Sequence, residues 1–162
     1  MIIQIIGFIA MILLCISSFI KQKDTMLMYQ LIAYLILSVH YLLLGGYTGS
    51  ILELMLVIAS ILGSKNIKNK NIFMSIFIIV YFLICIVTFT DWYSIIPAIA
   101  CVIMTWCLIY GNKMALRLGL IISLIGWGLY SAFIGSYSVF ISNLLMILFI
   151  TISLIGGVNR EK

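Results

Sequence analysis

HYLLLGGYTGSILEL, residues 40–54, is answered ninety residues later by YSAFIGSYSVFISNL, residues 130–144. In each stretch an apolar run stops at a Gly-x-Tyr turn, Gly45-Gly46-Tyr47 or Gly135-Ser136-Tyr137, and a second apolar run begins at once. The same ungapped offset lays Lys23 over Lys113, Glu53 over Asn143, and Ile5–Ala10 over Ile95–Ala100. Matches of Ile with Ile carry little in so apolar a chain. The turn, the lysine and the Glu/Asn position carry the comparison, and a repeat, once found, decides the architecture.

Composition says what surrounds these runs. Of the 162 residues, 65% are hydrophobic and only 8% are charged, with a mean hydropathy of +1.34. A soluble domain carries about a quarter charged residues to cover its surface, so this surface must face lipid. The formal net charge of +5 speaks for orientation in a membrane and against nucleic acid as a partner, because the basic residues sit in short breaks between apolar runs. Cys15, Cys85, Cys101 and Cys107 all lie inside apolar runs without CxxC spacing, and read as small packing residues. Met1–Ile20 lacks the positive leading segment of a signal peptide; Lys21 and Lys23 follow the apolar stretch instead, so it reads as a first spanning helix.

Breaks at charges and glycine clusters divide the chain into runs near 2–20, 26–44, 48–63, 72–90, 93–110, 114–134 and 138–157. About 20 apolar residues span a bilayer as a helix, with about 17–25 tolerated. The third run is short and is extended by Tyr47 and Ser64. Runs of this length in lipid must be helices, because only a helix satisfies its own backbone within one segment. Seven spans put successive loops on alternate sides. All nine Lys and Arg (Lys21, Lys23, Lys65, Lys68, Lys70, Lys113, Arg117, Arg160 and Lys162) then fall on one side, and the other carries Asp91 with no basic residue. A wrong count would scatter them. The basic side is cytoplasmic, which puts the N-terminus outside and the C-terminus inside. Trp92 and Tyr93, beside Asp91, suit an outer aromatic anchor.

The offset carries span 1 onto 5, 2 onto 6 and 3 onto 7, leaving span 4 as a linker. Moving by four spans preserves orientation, so the halves are parallel repeats about an axis along the membrane normal. The expected fold is an all-α integral membrane protein of seven transmembrane helices, arranged as two parallel three-helix bundles (1–3 and 5–7) joined by linker helix 4. Its divisions are residues 1–64, 65–92 and 93–162, the last ending in a short cytoplasmic tail. Gly7 and Pro97 are equivalent in the first helix of each bundle. Both residue types weaken a helix, so both positions are expected to bend it, as a gating helix requires.

Few residues here can carry chemistry. Asp24 and Glu161 stand beside basic residues and Asp91 lies in an outer loop, so Glu53 is the acid within a span. An ionised carboxylate at the bilayer centre costs about 2.5–3.5 kcal/mol on insertion scales. Glu53 therefore faces the bundle interior, a partner or water, or stays protonated. It reads as glue between helices, as a residue shallow enough to reach the outer surface, or as part of a functional site. His40 ends span 2 and Glu53 begins span 3, each about 8 Å below the outer turn by helix rise. A Glu53–His40 contact across this hairpin is geometrically allowed, either as a structural bond or as a proton or solute site. By the offset, Glu53 maps onto Asn143 and His40 onto Tyr130, which puts four polar groups at similar depth around the axis. Trp127, one turn before Tyr130, either packs or stacks on a flat solute. Gln4 and Gln30 are expected to hydrogen-bond between helices. Gly119 and Ser123 form a small-xxx-small pair, which leaves a homo-oligomer open.

The Gly-x-Tyr region resembles the bacterial inner-membrane YgjV-type family. That family is similar in layout to three-helix-repeat proteins: SWEET and PQ-loop transporters, nicotinamide-riboside transporters and the ER-retention cargo receptor. The chain departs from the PQ-loop pattern, since Pro97 is followed by Ala98 and the first helix has no proline. In SWEET-type proteins paired Asn residues on spans 3 and 7 contact substrate. The resemblance therefore implies a substrate-binding role for Asn143, and Glu53 departs from it by a carboxylate, which implies a solute with a donor or positive charge, or proton coupling.

Other chemistries are not encoded. The chain has no GxxxxGK[ST], GxSxG or HExxH, and one His with one buried Glu makes no metal site, so it reads as neither an enzyme nor a cofactor protein. The leading expectation is a small-solute facilitator or secondary transporter in the bacterial inner membrane. Glu53, Asn143, His40, Tyr130 and Trp127 would lie at its site, with membrane lipid and an unidentified small solute as partners. The alternative is a membrane receptor or accessory protein that binds a peptide, lipid or protein without transport.

Overall fold

The computed structural model describes residues 2–20, 22–63, 65, 68–89 and 91–158. Lys21, Ser64, Arg160, Glu161 and Lys162, used above for span limits and orientation, lie outside the described residues. Among the described residues there are seven α-helices and no strand: α1 (Ile2–Phe19), α2 (Lys23–Leu43), α3 (Tyr47–Gly63), α4 (Lys70–Val87), α5 (Ile95–Tyr110), α6 (Lys113–Phe133) and α7 (Tyr137–Val158), with a 3-10 turn at Trp92–Ser94. Five segments (α1, α2, α4, Trp92–Tyr110 and Met114–Phe133 of α6) are long and apolar enough to cross a membrane; α3 and Tyr137–Ile152 of α7 are shorter apolar helices.

The two turns of the opening stretch are built alike. Gly45 and Gly135 both take positive φ, 77° and 73°, which glycine adopts without the Cβ clash that burdens other residues. Behind each, an amide closes back to the helix end: Gly46 N to Tyr41 O at 2.9 Å, and Ser136 N to Ser131 O at 2.9 Å. This is the 6→1 bond of a Schellman cap, satisfying a carbonyl that would otherwise be orphaned. The next helix then starts at Tyr47 or Tyr137. Helices α2 and α6 are each 21 residues long and begin at Lys23 and Lys113.

Six helices close a ring. α1 packs on α2, α2 on α3, α3 on α5, α5 on α6, α6 on α7, and α7 returns to α1. α4 stands outside, against α5 and more lightly α3, where Tyr81 Oη meets Thr105 Oγ1 at 2.6 Å. The ring contacts join α3 to α5 and α1 to α7 as well as the helices within 1–3 and within 5–7.

The exterior is apolar, and polar residues are held inside among a hydrophobic core. Ile5, Phe8, Ile12, Ile76, Phe82 and Leu148 are exposed, while Gln30, His40, Glu53, Thr105, Ser131 and Asn143 are buried. A surface of that kind is stable only in lipid. Several interior serine hydroxyls are satisfied at short range: Ser17 donates to Leu14 O at 2.6 Å, Ser60 to Leu56 O at 2.8 Å and Ser131 to Trp127 O at 2.7 Å.

Gly7 and Pro97 do not break their helices. α1 runs through Gly7 without interruption. Pro97 lies in the first turn of α5, where a missing N–H removes no helical hydrogen bond. Gly7 permits a close approach: a Cβ there would sit 2.8 Å from both His40 Cε1 and Ser138 Oγ. The Gly119–Ser123 pair also turns inward. A Cβ on Gly119 would collide with Cys107 of α5, and Ser123 lines the central cavity, so neither is free to form an outer helix face.

Candidate functional site

Inside the ring lies a cavity of about 20 Å³, room for about one water. α1 contributes Met11 and Leu14, α2 contributes Tyr34, Leu37 and Tyr41, and α3 contributes Glu53; α6 adds Leu120, Ser123, Leu124 and Trp127, and α7 adds Val139 and Asn143. Tyr34, Leu37 and Tyr41 are spaced as one stripe of α2, which aims them all inward. Three pairs of residues ninety apart line this space: Tyr34 and Leu124, Leu37 and Trp127, Glu53 and Asn143. A fourth pair touches directly, Tyr41 Oη to Ser131 Oγ at 2.9 Å.

Three polar groups lining this space are unsatisfied. Glu53 Oε2, Asn143 Nδ2 and Tyr34 Oη are buried without a hydrogen-bond partner among the described residues. Such groups are few in native proteins, because each forfeits hydration with nothing in exchange. Both amide ends of Gln30, one turn below Tyr34, are also without a partner, so the expected interhelical bond of Gln30 is not made. Gln4 does bond across helices, accepting from Ser138 N at 3.1 Å and from Ser138 Oγ.

The structure separates the four polar groups that sequence placed together. Glu53 and Asn143 line the cavity; His40 and Tyr130 do not. His40 Nδ1 meets Ile3 O at 2.8 Å and Nε2 meets Ser136 Oγ at 2.7 Å. The Ile3 carbonyl can only accept, so Nδ1 donates, and in neutral imidazole Nε2 accepts from the serine. With both nitrogens engaged, the Glu53–His40 contact is not formed. Tyr130 Oη accepts from Gly49 N at 3.3 Å and its ring packs edge-on to Tyr41 and Trp127. Trp127 does reach the cavity, with its ring stacked on Tyr41 at 5.3 Å.

The opposite end of the bundle is tied by cations. Lys23 Nζ donates to Gly111 O at 3.3 Å and Arg117 Nη2 to Ser18 O at 2.8 Å. Each basic side chain thereby meets carbonyls at the C-terminal end of a helix, where the helix dipole favours positive charge. The sequence marks these residues for orientation and Lys23 also for the repeat, without showing the carbonyls they meet. Tyr34, Tyr41, Ser123 and Ser131 were also missed; shifting Tyr41 by ninety onto Ser131 was the available signal. A wider groove between α4 and α5, bordered by Ile78, Phe82, Ile95 and Ile99, is an apolar outer face. Among the described residues no group of three His, Cys, Asp or Glu side chains could hold a metal ion.

A helical chain with several apolar segments, an apolar exterior and polar side chains buried within its core defines a multi-pass integral membrane protein. Residues 1–161 match the family model Imp-YgjV, described as bacterial inner membrane protein. The chain belongs to that family, which places it in the bacterial inner membrane. No curated protein and no solved structure matches it.

Proposed function

We propose that this chain is a small-solute facilitator or secondary transporter whose site is the cavity between Glu53 and Asn143. It would cross the membrane seven times, N-terminus outside and C-terminus cytoplasmic, as two parallel three-helix units, α1–α3 and α5–α7, with α4 as linker. The ring contacts support this pairing, since moving each helix to its counterpart ninety residues away maps α1–α7 onto α5–α3. The observation that carries the reading is that Glu53 Oε2 and Asn143 Nδ2, both buried and without a hydrogen-bond partner among the described residues, belong to side chains lining one cavity. Intramembrane ionisable groups are expensive and mark solute or ion paths by default.

Two sets of bonds run between the units, and in this reading they are the gates that close the cavity. At one end stand His40 with Ser136, Gln4 with Ser138, and Tyr130 with Gly49. At the basic end stand Lys23 with Gly111 and Arg117 with Ser18. Releasing one set while the other holds would open the cavity to one side at a time, the rocking motion of repeat-built transporters.

Ser123→Cys, in a background with the four native cysteines replaced, tests this in inverted and right-side-out vesicles. A membrane-impermeant maleimide is expected to label it from both sides. Labelling from one side alone would sink transport and favour a receptor.

A further inference from the structure

The cavity is small and chemically lopsided, and both properties limit its guest. A carboxylate only accepts hydrogen bonds, so whatever satisfies Glu53 must bring N–H or O–H donors, positive charge, or both. Glu53 is 2% exposed, and no hydrogen-bond partner for its Oε2 stands among the described residues. Tyr34 Oη, equally unpartnered, offers a second acceptor. Asn143 offers a third, because a half-turn of its amide exchanges nitrogen for oxygen.

Size narrows the choice. A space of about 20 Å³ takes one water-sized group without movement of its walls, which favours a compact head group beside Glu53 over a planar guanidinium or an aromatic ring. The flexible apolar side chains around it give way to a short alkyl part. The remaining walls, Met11, Leu14, Leu37 and Leu124 among them, are apolar. They offer nothing to a second charge, and by excluding water they strengthen a charge-assisted bond. An ammonium group matches on each count: it is close to water in size, cationic, and has three donors for three acceptors.

Building on the transport reading above, we propose that the site takes the ammonium group of a small primary amine. Glu53 supplies the counter-charge, Tyr34 and Asn143 supply the other two acceptors, and the apolar wall beside Trp127 receives the alkyl part. A quaternary ammonium has no N–H to donate, and a sodium ion takes more oxygen ligands than these three side chains offer, so both are poor guests.

Thermal unfolding of the purified full-length protein in detergent tests this directly. Methylammonium chloride is the probe, with sodium chloride and tetramethylammonium chloride at equal ionic strength as controls. Methylammonium is expected to raise Tm saturably and the controls are not. Glu53→Gln, which keeps the shape and removes a buried charge, is expected to weaken that effect about tenfold or more, and Asn143→Ala to weaken it less. No methylammonium-specific rise in the wild type overturns the proposal, as does a rise that Glu53→Gln leaves intact. Two-sided labelling of Ser123→Cys without a methylammonium effect would retain transport and discard the amine. A methylammonium effect with one-sided labelling would do the reverse, leaving an amine-binding receptor.

Discussion

Helices α2–α3 and α6–α7 are close in backbone and far apart in chemistry. Starts, Schellman turns and the lengths of α2 and α6 coincide at an offset of ninety residues. Yet Gln30 stands where the second half has Leu120, Tyr34 where it has Leu124, Glu53 where it has Asn143, and Gly49 where it has Val139. Every titratable side chain lining the cavity, Tyr34, Tyr41 and Glu53, comes from the first half; the second contributes Ser123, Asn143 and the Trp127 indole. The difference teaches that the scaffold and the site are under separate constraints. Turn geometry and helix spacing hold the frame, while the inward positions are free to diverge into a polar wall and a mostly apolar one.

Making the halves more alike tests where that freedom ends. The largest loss is expected from Gly49→Val, which copies Val139. A Cβ on Gly49 would lie 2.8 Å from Tyr130 Cε1, and forcing extra atoms into packed helices costs about 1–3 kcal/mol. A drop in Tm that Tyr130→Ala partly restores is the expected result. Glu53→Asn, which copies Asn143, acts with the opposite sign. Removing an uncompensated carboxylate is expected to stabilise by about 1–2 kcal/mol in denaturant titration, while methylammonium binding falls. A destabilised Glu53→Asn would mean that Glu53 has a partner within the fold. Smallest is Arg117→Leu, which copies Leu27 and removes the bond to Ser18 O. A loss of about 1 kcal/mol is expected, with maleimide labelling of Ser123→Cys rising from the basic side.

The helices and their turns were legible because lipid imposes simple rules. Charges and Gly-x-Tyr breaks mark helix ends, and the observed starts of α3 and α7 fall at Tyr47 and Tyr137, one residue before the runs read from sequence. The inward facing of Glu53 was legible for the same reason, since a carboxylate cannot face lipid without cost. His40 was not. Sequence places it near Glu53 across a hairpin, but a side chain's direction around its helix depends on packing against α1 and the turn before α7, and the space vacant at Gly7 draws the imidazole toward Ile3 and Ser136. Gly7 looked like a flexible joint because glycine's missing Cβ reads the same whether it permits bending or close approach. Arg117 and Lys23 were seen as net charge, and only the fold reveals the carbonyls they meet.

The make-up of the cavity has a consequence for how the chain is born. Glu53 lies in the first half, but Leu120, Ser123, Leu124, Trp127, Val139 and Asn143, half of the wall around it, lie in the second. A ribosome delivers the α2–α3 hairpin long before α6 and α7 exist. During that interval the carboxylate has no enclosure, and it must remain protonated, hydrated or sheltered by the insertion machinery. Biogenesis therefore passes through a stage that the finished bundle conceals, and the first half would not rest in lipid as an independent product.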